Sequence, residues 1–135
     1  MTIPKKEEYI FYLGESFQVE FYFTGTGKMP AKEYLEKSSF DVKVKLAALV
    51  RYIAEHGKLF DITKFRLVDS KDKIYEFKPA GHRFFNFFYE GGKLIITNAY
   101  IKKSQKVSNR DLEKSKAIRK DYVSRVKGGK YYEKS

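Results

Sequence analysis

Residues 74–101 read IYEFKPAGHRFFNFFYEGGKLIITNAYI, and this stretch decides the fold. It divides into aromatic and β-branched runs at 74–78, 83–89 and 93–101, separated by turn residues, which is the pattern of consecutive strands. Glu90-Gly91-Gly92-Lys93 is a hairpin signal, because adjacent glycines accept the positive φ that tight turns demand. Leu94-Ile95-Ile96-Thr97 reads as the most buried strand. A further strand at 65–68 turns through 69–73 into the first. Strands in such quick succession, with no helix between them, predict an antiparallel meander and not a parallel βαβ sheet.

Working upstream, Phe17, Val19, Phe21 and Phe23 alternate with Gln18, Glu20 and Tyr22, the period of a half-buried strand. Gly25-Thr26-Gly27 ends it. Pro30 opens a short helix to residue 37, with Tyr34 and Leu35 as its apolar contacts. Ser38 and Ser39 offer an N-cap for a longer helix whose stripe is Val42, Leu46, Leu49, Val50 and Ile53, one helical face. Gly57 is placed for a left-handed C-cap. Downstream, Ser108 with Asp111 predicts a second capped helix carrying Leu112, Ile118, Tyr122 and Val126, with Ser115 between. Gly128-Gly129 stops it. The expected fold is therefore α+β: an N-terminal strand and helical hairpin on a small antiparallel sheet, with a C-terminal helix. One domain spans 17–127. Residues 1–16 are an extension, with an added strand, a partner-binding arm and disorder all open, and 128–135 are expected to be a flexible tail.

Composition narrows the function. The 135 residues suit one core, and 12 Phe with 11 Tyr make it aromatic. Cysteine is absent, which excludes disulfides and zinc ribbons and fits a reducing cytoplasm. Acidic residues near the N-terminus argue against a signal peptide, and no apolar run reaches membrane length, so a cytoplasmic protein without membrane contact is expected. Net charge is +11, and residues 102–135 hold 12 Lys/Arg against 4 Asp/Glu, whereas residues 1–101 hold 16 against 13. A concentrated basic segment is the footprint of a polyanion binder. A solvated lysine-rich helix explains the charge equally well.

His56 and His82 are the only histidines, without HExxH spacing, so neither a catalytic metal nor a cofactor is expected. Residues 25–28 lack Walker spacing, and no GxSxG occurs.

Residues 74–122 carry a more specific pattern: Glu76 on a short strand, Arg83 opening an aromatic strand, Gly91-Gly92, Tyr100, Lys102-Lys103, Gln105-Lys106, Asp111, Arg119 and Asp121-Tyr122. With Ala54-Glu55-His56-Gly57 closing the helical pair, residues 17–125 resemble the RelE/ParE superfamily of toxins, specifically its phage-derived HigB-like branch. The KKSQK stretch at 102–106 is the most specific part. The resemblance implies a RelE-like fold and metal-independent cleavage of messenger RNA in the ribosome by attack of the ribose 2′-hydroxyl. It also implies a cognate antitoxin, in this branch usually a helix-turn-helix protein.

Such chemistry needs a base, cations for the phosphate and a proton source. Arg83 is the first choice for a bidentate phosphate clamp, with an edge-strand solubility residue as the alternative. Lys102 and Lys103 emerge from the sheet rim, Lys103 being favoured for transition-state charge. Tyr100 and His82 complete the catalytic candidates, as an orienting hydroxyl and a group titrating near neutrality; half-buried packing and an exposed turn histidine are their plainer roles. Lys78, Lys106, Arg110 and Arg119 are the candidate RNA contacts. Glu76 is expected to be structural, Phe84, Phe85, Phe87 and Phe88 to be core, and Asn98 stands where the branch often has histidine. A non-catalytic binding module and a ParE-type gyrase-directed toxin are the alternatives on this fold.

Overall fold

The glycine pair closes the expected hairpin. Gly91 and Gly92 take φ of 82° and 70° between β5 (His82–Tyr89) and β6 (Lys93–Ile101), a conformation glycine adopts without the steric cost of a Cβ. The meander runs outward through β4 (Ile74–Phe77) and β3 (Phe65–Asp69), each pair antiparallel. The structure, a computed structural model, describes residues 2–133.

On its other side β6 pairs in parallel with β2 (Gln18–Phe21), Gln18 opposite Lys93 and Phe21 opposite Ile96. An antiparallel partner, β1 (Ile10–Leu13), then extends β2 to the edge. The sheet has six strands in the order β1-β2-β6-β5-β4-β3, so the purely antiparallel expectation is corrected to a mixed sheet. Its cause is the helical crossover, α2 (Pro30–Glu36) and α3 (Phe40–His56), which carries the chain from β2 across the sheet to the far edge. The crossover begins and ends as the sequence predicts. Pro30 occupies the first helical turn, the Ser39 hydroxyl accepts from Val42 N–H, and Gly57 at φ 80° caps α3.

Two segments outside the expected domain pack against it. Residues 2–16 join the fold: a helical turn, α1 (Lys6–Tyr9), buries Tyr9 against Phe23 with ring centres 5.3 Å apart, and β1 adds a strand at the edge of the sheet. Residue 1 lies outside the described residues. The segment after α4 (Asn109–Lys127) is not a free tail. Tyr131 is fully buried and stacks on Phe23 at 4.0 Å, and Tyr132 donates to the Glu20 carboxylate at 2.7 Å. Residues 134–135 lie outside the described residues.

Both faces of the sheet are covered, and β5 shows how. Phe84 meets Tyr34 of α2 edge-on at 5.5 Å, whereas Phe87 meets Tyr122 of α4 at 5.5 Å. This double cover also overturns the half-buried reading of β2. Glu20 is fully buried and Tyr22 nearly so, because α4 and Tyr132 lie on the face expected to be wet. Glu20 is compensated by Tyr132, by Gln18 at 2.7 Å and by Lys93 at 3.6 Å, as a buried carboxylate must be.

Candidate functional site at the end of the sheet

The opening of β5 and the close of β6 lie side by side, His82 opposite Ile101 and Arg83 opposite Tyr100. The register then shifts: Phe84 faces Ala99 but Asn86 faces Ile96, so β6 spends one extra residue at Thr97-Asn98. Such a bulge re-aims side chains. Thr97 reaches the Ser115 hydroxyl of α4 at 2.7 Å, and Asn98 donates to the Asp111 carbonyl at 3.0 Å. Asn98 is 2% exposed and anchors the start of α4.

On the α4 side of the sheet, one buried carboxylate gathers cations. Glu76 Oε2 accepts from Arg66 Nε at 2.6 Å, and Glu76 Oε1 lies 3.9 Å from Arg83 Nε. Neither Oε1 nor that Nε has a hydrogen-bond partner among the described residues. Arg83 is correspondingly 8% exposed, and one of its terminal nitrogens donates to the His82 carbonyl at 2.9 Å. The edge-strand alternative for Arg83 therefore falls, since β5 lies inside the sheet. Lys78, which donates to the Ile62 carbonyl at 3.1 Å, feels the same cluster. Burial first, then the charges of Arg66, Arg83 and Lys102, push its pKa below the usual lysine range, against the opposing pull of Glu76.

Around the rim lies a cleft of about 380 Å³ lined by Tyr34, Tyr100, Lys103, Lys106, Arg110 and Asp111, among others. β2 stops pairing at Phe21 opposite Ile96, while β6 runs on to Ile101, so the last part of β6 pairs with β5 but has no strand on its β2 side, where it lines the cleft. Tyr100 packs on Phe85 at 5.4 Å and its hydroxyl accepts from Ser108 N–H at 3.4 Å. Burial raises its pKa. Ser108 also caps α4, accepting from Asp111 N–H and donating to the Asp111 carboxylate at 2.6 Å. The N-terminus of α4 is thereby fixed against the strand that carries Tyr100.

Of the candidates read from the sequence, Tyr100, Lys103, Lys106 and Arg110 share this cleft. Arg83 lies beside Glu76, and Lys78 feels the charges of both and of Lys102. His82 is joined to the cleft through Tyr34, whose hydroxyl lies 2.5 Å from His82 Nδ1. It is therefore not the exposed turn residue that Gly-His suggested, and burial, then Arg83, lower its pKa below 6.5. Arg119 stands apart, over the Phe87 ring at 5.5 Å and beside Asp72 and Glu113.

Two residues of the site were not anticipated. Arg66 faces Glu76 across the β3–β4 pair, and an opposite-charge pair flanking a short turn is a signal that the sequence does carry. Tyr34 had been assigned only to packing. Nothing local connects it with His82, 48 residues away. Among the described residues, no group of three His, Asp or Glu is arranged to hold a metal ion, and no helix is long and apolar enough to cross a membrane.

No curated protein matches the chain. The family model described as phage-derived protein Gp49-like (DUF891) matches residues 33–120. That span includes α3, the whole β3–β6 meander and the first half of α4, and hence nearly every residue of the site. The chain belongs to the phage-derived Gp49-like family.

Proposed function

We propose that this protein is the toxin of a type II toxin–antitoxin pair, of the HigB-like branch, acting as a metal-independent endoribonuclease on ribosome-bound messenger RNA. The Gp49-like family is one of RelE/HigB-like toxins in general, and the RelE-like character of the fold is part of the proposal. The observation that carries it is the pairing of Arg66 and Arg83 with buried Glu76, with Lys78 within reach of their charges and of Lys102, beside a cleft whose rim adds Lys103, Lys106 and Arg110. This is cationic density well beyond what one carboxylate neutralises. A phosphodiester undergoing attack by its own 2′-hydroxyl gains charge on the non-bridging oxygens, and fixed cations stabilise that state. The 2′ oxygen bonds to phosphorus, the bond from phosphorus to the 5′ oxygen breaks, a proton leaves the 2′-hydroxyl and another reaches the 5′ oxygen. Arg83 and Lys102 supply the charge in this scheme, and Lys103, Lys106 and Arg110 hold the flanking backbone. The cognate antitoxin is the expected partner.

A second reading is a module that holds RNA without cutting it. The near-complete burial of Arg83, with a guanidinium nitrogen donating to the His82 carbonyl, favours that reading.

Primer extension on a reporter transcript during translation separates the two. Discrete cuts with wild-type protein, absent on the same transcript without ribosomes and reduced with Arg83→Ala or Lys103→Ala, establish the nuclease. EDTA belongs in the free-RNA arm only, because ribosomes need magnesium. Intact transcript with folded protein leaves the RNA-holding module or a gyrase-directed toxin, and a gyrase supercoiling assay then decides between those.

A further inference from the structure

The cleft beside the end of β6 that β2 leaves uncovered contains an aromatic wall that a simple phosphate site does not require. Tyr34 reaches it from α2, and its ring is held from two directions, edge-on to Phe84 at 5.5 Å and to His82 at 5.6 Å. Its hydroxyl is tied to His82 Nδ1. Burial, then the Asp111 charge, raise the phenol's pKa, so the ring stays neutral. Tyr34 packs on the core through Phe84 while it lines the open cleft, so its ring is held rigid where a planar ligand would meet it.

The other linings fit one kind of ligand. Lys103, Lys106 and Arg110 supply positive charge on the rim, while Ala99 and Ile101 provide an apolar stretch of strand edge. That edge lies beyond the pairing limit of β2, and its backbone amides and carbonyls resemble the groups that read the rim of a base. Ser108 and the Asp111 carboxylate add hydroxyl and acceptor groups. A flat ring next to an anionic backbone satisfies all of them together. We infer that this cleft is a nucleotide subsite that takes one unpaired RNA base against Tyr34, with the adjoining phosphates on Lys103, Lys106 and Arg110. The inference rests on the RNA-directed reading above and extends it, placing a base-binding position on the far side of β6 from the Glu76 cluster. His82 is a positioning residue within it, holding the Tyr34 ring in place.

The test is equilibrium binding, which does not depend on cleavage. Short single-stranded RNAs with 2′-O-methyl sugars, and therefore uncleavable, are made with an abasic site at each position in turn. Fluorescence anisotropy is then recorded with wild-type protein and with Tyr34→Leu, Tyr34→Phe and Arg83→Ala. Leucine keeps apolar bulk against Phe84, and circular dichroism confirms that each variant is folded.

For wild type, one abasic position weakens binding by about tenfold, as expected for loss of one stacked base. Tyr34→Leu binds intact RNA about tenfold more weakly, and that position then ceases to matter. Tyr34→Phe retains the position dependence, while Arg83→Ala weakens all the RNAs alike and also retains it. An abasic scan that is flat for a wild type still binding in a salt-dependent way overturns the subsite and leaves the RNA-directed reading standing. So does Tyr34→Leu losing affinity equally for intact and abasic RNAs. Absence of RNA binding by folded wild-type protein overturns the subsite, while the ribosome-dependent reading stands or falls by the primer-extension experiment.

Discussion

The backbone N–H of Phe23 donates to the hydroxyl of Tyr131 at 2.9 Å, joining residues 108 positions apart. The two rings stack at 4.0 Å over the same contact, so the end of β2 and the segment after α4 form one packing unit. Tyr131 is fully buried, and its loss removes both an aromatic side chain and a hydrogen-bond acceptor. Tyr131→Ala is expected to cost about 3–5 kcal/mol in chemical denaturation. Tyr131→Phe keeps the ring and strands one buried N–H, for about 1–3 kcal/mol. Equal stability of the alanine variant and wild type would mean that the segment is not docked in solution.

Gly14 has a purely steric role. A Cβ there would lie 2.5 Å from the Ala54 carbonyl oxygen and 2.6 Å from its Cβ, while the Ala54 carbonyl accepts from Ser16 and Phe17 N–H. Gly14→Ala must push β1 and its turn away from α3. Its expected cost is about 1–3 kcal/mol by the same measurement, the range for overpacking.

The cap of α4 gives a milder expectation. Ser108 accepts from Asp111 N–H, and Ser108→Ala should lower stability by about 1 kcal/mol. Because the donor to the Tyr100 hydroxyl is the backbone N–H of Ser108, that bond survives the substitution. Amide exchange should then quicken in the first turn of α4 more than in β6.

His82 makes stability depend on pH. Burial and Arg83 hold its folded pKa below 6.5, so the unfolded chain binds more protons than the folded one as pH falls through 6.5. Stability therefore drops on acidification from that pH, and the drop ends below the folded pKa. Thermal midpoints between neutral and mildly acidic pH should show this slope in wild type. His82→Gln should flatten it, and an unchanged slope would show that His82 does not titrate differently on folding.

Salt reads the cationic rim directly. Each phosphate contact to single-stranded RNA contributes roughly 0.7 to the slope of log affinity against log salt. Lys103→Ala, Lys106→Ala and Arg110→Ala should each reduce the slope by about that amount, whereas Lys45→Ala, on α3 and paired with Asp41 at 3.1 Å, should leave it unchanged.

What the sequence disclosed follows from how local each signal is. Gly91-Gly92, Ser39 with Gly57, and Ser108 with Asp111 each specify their own turn or cap, and each appears in the expected place. The Phe84, Phe85 and Phe87 side chains are core for equally local reasons. Partnership across distance was not legible. The β2–β6 pairing depends on where the crossover returns, and the alternation around Glu20 assumed a wet face that α4 in fact covers. The same limit applies at the site. Tyr100, Lys103, Lys106 and Arg110 are close in sequence and meet in one cleft, but Tyr34 arrives from another element. Asn98, at the position where the sequence resemblance leads one to expect a histidine, is turned by the bulge onto the start of α4.

The parallel pairing of β2 with β6 also bears on how the protein forms. The meander from β3 to β6 consists of near neighbours and can assemble early, because short loops cost little entropy to close. β2 must wait for a strand that lies beyond the helical crossover and three further strands, and contacts of that separation slow folding. Emerging from a ribosome, β1 and β2 leave first and dock late. The residues that complete them, Tyr131 and Tyr132, follow the basic helix itself. Lys103, Lys106 and Arg110 are thus synthesised before the sheet behind them is sealed, so assembly of the cationic rim and completion of the core fall within the same late stage of the chain's maturation.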